Sequence, residues 1–199
     1  MRILVVGATG LIGRAIVDAL KAEHEVIPVS HRHSTIMVDL ADPASIARMY
    51  RQAGKVDAVV SAAGQAKFGA FATLTGDDFL LGLHNKLMGQ VNLVRFGHEF
   101  VADGGSFTLT SGVLAQHPMP GSAAVSSVNA GLEGFVRAAA LELPRHIRVN
   151  VVSPGWITET LLALGMDPAP GMPAAKVAQT YVDSLRGTAT GAVLSPFPE

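Results

Sequence analysis

The chain contains no cysteine. Disulfides, thiolate nucleophiles and cysteine-held metals are therefore excluded, and the composition is compatible with a reducing compartment. Charge is also scarce. Asp, Glu, Lys and Arg make up 16% of the 199 residues against 49% apolar ones, a balance that favours a compact globular core over disorder. The net charge of −1 hides no block of one sign, so no nucleic acid and no anionic membrane is expected as a partner. Long apolar runs are missing as well. "MRILVV" is interrupted at Gly7, too early for a signal-peptide core, and no run approaches the roughly 18 residues of a membrane helix. The expectation is a soluble cytoplasmic protein forming a single domain, 1–199.

What is present is an alternation. "RILVV" (2–6), "EVIPV" (25–29), "TIMV" (35–38), "VDAVVS" (56–61), "GSFTLTS" (105–111), "IRVNVVS" (147–153) and "GAVLS" (191–195) read as strands. Between them lie helical periods at 11–22, 42–52, 76–102 and 122–143, with a further helix near the C-terminus around Tyr181. Asp42 followed by Pro43 marks one helix start, and Ser122 stands where it can cap another. Gly82 and Gly89 are the points where the long helix 76–102 would break. Apolar strands alternating with helices predict a doubly wound parallel sheet of about seven strands, α/β and Rossmann-like, in three α/β/α layers. Pro- and Gly-rich residues 165–173 read as a loop.

"VVGATGLIG" puts Gly7, Gly10 and Gly13 between the first strand and the first helix, in GxxGxxG spacing. Glycines there allow a tight turn and let backbone N–H groups approach a pyrophosphate at the helix N-terminus. A site for NAD usually ends its second strand on a carboxylate that holds the ribose 2′-OH. Here that end reads "VSHRHS", with no carboxylate. Ser30, His31 and Arg32 suit a 2′-phosphate instead, so NADP is expected in preference to NAD, unless Arg32 is only a solvated loop residue. His31 and His33 have no third ligand nearby in sequence, and no metal is expected.

These segments resemble the short-chain dehydrogenase/reductase family over nearly the whole chain. "GATGLIG" looks like its nucleotide loop, which implies contacts from Gly7, Thr9, Gly10, Leu11 and Ile12. "VDLAD" looks like the adenine segment, with Asp39 and Leu40; "SAAG" brings Ala62, Ala63 and Gly64 beside the cofactor. "RVNVVSPGWITET" is similar to the turn beside the nicotinamide, at Pro154, Gly155, Trp156 and Ile157. The resemblance implies an NAD(P)-dependent oxidoreductase acting on a small molecule. It also implies a homodimer or homotetramer paired through helices 76–102 and 122–143.

The family's usual chemistry needs a Ser, a Tyr-x-x-x-Lys pair and an Asn. By the same resemblance the catalytic serine falls at Gly112, after Ser111; the tyrosine falls at Val125 and the lysine at Asn129. Neither Tyr50 nor Tyr181 stands in position to replace the tyrosine. The Asn position falls at Lys86, beside Asn85. Four residues are left as candidates for the chemistry. Lys86 either restores a charge at the cofactor ribose or the substrate oxygen, or snorkels at the surface. Ser111 either binds a substrate oxygen or bonds local backbone. His117 is either a proton donor from the loop after the fifth strand or a solvated histidine. Asn129 is an uncharged stand-in at the ribose. Trp156 and Leu161 to Met166 are candidates for the lining of a lid, or for plain packing. Two functions stay open: an oxidoreductase with an unusual catalytic set, and a nucleotide-binding sensor or partner-binding protein without turnover.

Overall fold

The computed structural model describes residues 1–196; the last three residues of the expected domain 1–199 lie outside the described part. Seven strands form one sheet: β1 (Arg2–Val6), β2 (Glu25–Ser30), β3 (Ile36–Met37), β4 (Val56–Ser61), β5 (Val101–Thr110), β6 (Arg148–Val152) and β7 (Val193–Leu194). Their order is β3-β2-β1-β4-β5-β6-β7, and every neighbouring pair is parallel. Side-chain alternation explains the layers. In β1, Leu4 and Val6 pack with Ile46, Met49 and Tyr50 of α2 (Pro43–Ala53), Leu93 of α4 (Gly89–Gly97) and Leu132 of α5 (Ala123–Ala139). Ile3 and Val5 point the other way, onto Ile16 and Leu20 of α1 (Leu11–Leu20) and Val177, Tyr181 and Leu185 of α7 (Ala174–Arg186). Both faces are covered, which is why the strands read as unbroken apolar runs. This is the doubly wound Rossmann-like α/β fold that the alternation predicts.

Local departures have local causes. Asp42 caps α2 by accepting from Ala44 N at 2.8 Å. Ser122 does not cap α5: its hydroxyl accepts from Met119 N at 3.1 Å and bonds Ser126 Oγ at 2.9 Å. The expected helix 76–102 is shorter and divided. It runs as α3 (Gly76–Gly82), a π turn (Leu83–Met88) and α4, and ends before β5 begins at Val101. The division falls at Gly82 and Gly89. A Cβ on Gly89 would lie 2.8 Å from Leu40 Cβ and 3.0 Å from Leu40 O, so only glycine lets the helix approach the segment after β3 this closely. Pro28 is tolerated within β2 because β3 pairs with β2 only at Val29 and Ser30, leaving the outer edge free beside the proline. A short helix, α6 (Thr158–Ala163), precedes the expected loop, and Ile157 bridges to Met172 across it. Among the described residues no helix is long and apolar enough to cross a membrane.

Candidate functional site

The chain leaves β1 toward β3, then crosses back to place β4 on the other side of β1. A cleft opens at the C-terminal ends of strands where the order reverses in this way. Two cavities form it, of about 460 and 310 Å³, and they share Ala62, Ala63 and Gly64 at the end of β4.

The larger cavity is made chiefly by backbone. Gly7 adopts a φ of +86°, and a Cβ there would lie 2.6 Å from Ala62 O. A Cβ on Gly13 would lie 2.0 Å from Gly7 O, so the third glycine lets α1 start directly against the loop. α1 has no side-chain cap at Gly10 and no acidic residue in its first turn. Its leading N–H groups and the positive end of its dipole are thus left for an anion. Thr9, Ser30, His31, Asp39 and Leu40 line the rest, together with Gln65 and Asn85. Asn85 steadies this wall: its Oδ1 accepts from Gln65 N at 2.7 Å. Asp39 spends an oxygen on the Ala41 amide at 2.9 Å.

The smaller cavity is made by side chains from several elements: Ile12, Lys86, Thr110 to Leu114, Val125, Asn129 and Pro154 to Ile157. The π turn carries Lys86 into its wall. The side chain lies against Gly64, where a Cβ would approach Lys86 Cγ to 2.7 Å. Its Nζ donates to the Ser111 carbonyl at 3.0 Å. Burial holds the ammonium down at about 8. Ser111 continues β5, its N–H bonded to Val152 O at 2.9 Å. Below it, Gln90 clamps Thr110, accepting from its N–H and donating to its C=O, both at 2.8 Å. Asn129 donates through Nδ2 to Gly112 O at 3.3 Å, while its Oδ1 is buried with no partner. Glycine at 112 makes this possible, because a Cβ there would press on Asn129 Nδ2 at 2.9 Å. Glu133, one turn further along α5, accepts from Ser111 Oγ and from Gln116 Nε2, each at 3.2 Å.

Most residues singled out in the sequence meet in this cleft. Gly7, Thr9, Gly10, Ser30, His31, Asp39 and Leu40 line the larger cavity; Ile12, Pro154, Gly155, Trp156 and Ile157 line the smaller; Ala62, Ala63 and Gly64 join the two. Lys86, Ser111 and Asn129 come together at the smaller one. Leu11 and Arg32 do not line the cleft, and Arg32 is exposed. His117 is exposed and outside the lining, because its loop turns outward beyond the short 3₁₀ turn at Val113–Ala115. Of the residues read as a lid lining, Trp156 lines the cavity; Leu161 is buried, Leu162, Leu164 and Met166 are exposed, and none of these four lines it. Both tyrosines are core residues. Tyr50 OH donates to Leu93 O, and Tyr181 OH bonds Thr110 Oγ1 at 2.6 Å, with burial pushing both phenols well above their ordinary range. Glu133, Gln116 and Gln90 belong to no motif that the sequence offers. For Glu133 the available signal was its spacing of four from Asn129, which puts both on one helix face.

A family model described as enoyl-(acyl carrier protein) reductase, of the short-chain dehydrogenase type, matches residues 9–188. The chain belongs to the short-chain dehydrogenase/reductase family. The solved protein lin1944 from Listeria innocua is 37% identical with a TM-score of 0.94, over 99% of this chain and 100% of that one. A small-chain dehydrogenase solved in complex with NADPH shares the fold, at 24% identity and a TM-score of 0.87 over 98% of this chain and 95% of that one. The oxidoreductase UcpA of Escherichia coli is 27% identical over 145 residues, 69% of this chain and 55% of UcpA. The chain thus spans about half the length of that curated relative and the whole length of the Listeria protein.

Proposed function

We propose that this protein binds NADP(H) along the cleft and is an oxidoreductase acting on a small molecule, with Lys86 serving where the family keeps its tyrosine and Ser111 orienting the substrate beside it. The cleft fits a dinucleotide on its own geometry. It pairs an uncapped helix start with a buried, unpartnered Asn129 Oδ1 at the other end. The leading amides of α1 would hold the pyrophosphate, Leu40 and Asp39 the adenine, and Asn129 a ribose hydroxyl. Ser30 and His31, with no carboxylate at the end of β2, favour a 2′-phosphate over a bare 2′-OH. The family relative solved with NADPH supports the choice. When bound, the nicotinamide supplies or takes the hydride; the protein must orient the substrate oxygen and stabilise its charge.

The observation that carries the proposal is Lys86, drawn into the cavity wall with its pKa lowered by burial to about 8. Below pH 8 the ammonium can donate to the oxygen of a carbonyl as it turns into an alkoxide. Above pH 8 the free amine can accept from an alcohol. Reduction is therefore expected to fall as pH rises through about 8, and oxidation to rise over the same window. The test is NADPH oxidation followed by absorbance over a panel of carbonyl, enone and quinone substrates, with Lys86→Ala as control. Unchanged activity in that variant would remove Lys86 from the mechanism.

Val125 favours a second reading: an apolar side chain stands in the cavity where the family keeps its acid. On this reading the protein binds NADP(H) as a sensor or partner-binding module. Any hydride transfer from NADPH in the same panel rejects it. For assembly, we propose a homodimer or homotetramer through the faces of α4 and α5, checked by the mass measured in solution.

A further inference from the structure

Glu133 is a carboxylate only 3% exposed, on a helix whose neighbouring residues Leu132 and Val136 enter the core. It takes part in none of the ion pairs among the described residues. The elements packed against α5 carry Asp77 and Asp78 (α3), His84 and Lys86 (the π turn), Arg95 (α4) and Arg148 (β6). Of these, only Lys86 shares a bonding partner with Glu133, and that partner is Ser111. A carboxylate buried without a cation is costly, and hydrogen bonds to its oxygens must offset that cost. Here both oxygens are used, one on the Ser111 hydroxyl and one on the Gln116 amide.

We propose that Glu133 is a positioning residue that fixes the hydrogen-bond polarity of Ser111, so that Ser111 meets a ligand as an acceptor and the cavity takes a hydroxyl in preference to a carbonyl at this point. A carboxylate can only accept, and a serine hydroxyl has one proton and two lone pairs. With that proton committed to Glu133 Oε1, what Ser111 Oγ turns to the cavity is lone pairs. Asn129 differs: Nδ2 spends one of its two protons on Gly112 O, so its amide keeps both a donor and the Oδ1 acceptor already assigned to the ribose. The cationic donor on this wall is Lys86, one of whose protons is spent on the Ser111 carbonyl. Ser111 as acceptor beside the Lys86 cation matches a group that both donates and accepts, which is a hydroxyl. A bare carbonyl would satisfy Lys86 and leave Ser111 unmatched.

The inference takes the smaller cavity as the substrate-facing surface named above, and its tests contain no nucleotide. In the first, proton NMR of the isotopically labelled protein looks for the Ser111 hydroxyl. A slowly exchanging resonance is expected, lost in Ser111→Ala, with a through-space contact to the Glu133 side chain. It should persist in Gln116→Ala and move in Glu133→Gln. A hydroxyl proton too fast-exchanging to observe, or one without contact to Glu133, overturns the assignment in the wild-type protein alone. The second test follows the amide shifts of residues 111–114 with cyclohexanol and cyclohexanone. The alcohol is expected to bind about three- to tenfold more tightly, the worth of one hydrogen bond, and Glu133→Gln should erase that preference. A purely structural Glu133 would instead weaken both ligands alike. Equal binding, preference for the ketone, or no shift with either ligand overturns the hydroxyl assignment. Failure of NADPH binding would leave both results standing, and so counts against the proposed cofactor alone.

Discussion

The two ends of the cleft are built in different ways. The phosphate end is backbone: a glycine loop, an uncapped helix and the ends of β1, β2 and β4. The other end is side chain: Lys86 from a π turn, Ser111 from β5, Asn129 and Glu133 from α5 and Trp156 from the turn after β6. Backbone recognition tolerates most substitutions so long as the glycines stay. Side-chain chemistry changes with a few replacements, and here Val125, Asn129 and Lys86 line that end. On the proposed function, the protein keeps the cofactor half of its family's site and alters the half that moves protons.

The contrast can be broken at either end. The largest effect is expected from Gly13→Val. Its side chain would start 2.0 Å from Gly7 O, with backbone on both sides and no room to relax. Loss of NADPH binding and a destabilisation of roughly 3 kcal/mol or more, read by chemical denaturation, are expected. Lys86→Met should separate the ends: turnover down by about a hundredfold or more, with NADPH affinity within about threefold. Its thermal midpoint should not fall, because a charge that burial disfavours has been replaced by an apolar chain. Asn129→Ala removes the acceptor at the ribose and should weaken NADPH by about three- to tenfold in a fluorescence titration. The smallest effect belongs to His117→Ala. That side chain is exposed and off the lining, and kcat/KM should stay within about twofold of wild type.

The phosphate end was legible because its signals are local. Gly7, Gly10 and Gly13 recur every third position between adjacent elements, and the strand before them and the helix around Gly13 read clearly. The chemical end needed contacts between residues far apart in sequence. Lys86 reaches Ser111 across 25 positions and Glu133 reaches it across 22, and no spacing rule spans such gaps. The two glycines that divide the long helix were visible, but not the π turn between them, because nothing in "LHNKLM" distinguishes that geometry from an α-helix. Arg32 follows β2 and His117 lies in the loop after β5, the right places for their chemistry, yet both side chains are exposed and outside the cleft lining. Ser122 has the right residue type for a cap, yet the turn ahead of it claims its hydroxyl.

The most direct test of the whole account needs no substrate. NADPH and NADH are titrated separately into the wild-type protein while the nicotinamide fluorescence is recorded. Saturable NADPH binding is expected, at least about tenfold tighter than NADH, since one phosphate recognised by polar groups is worth that much. If neither nucleotide binds, the glycine loop is only a turn, and the proposed division between a retained cofactor end and a rebuilt chemical end is contradicted.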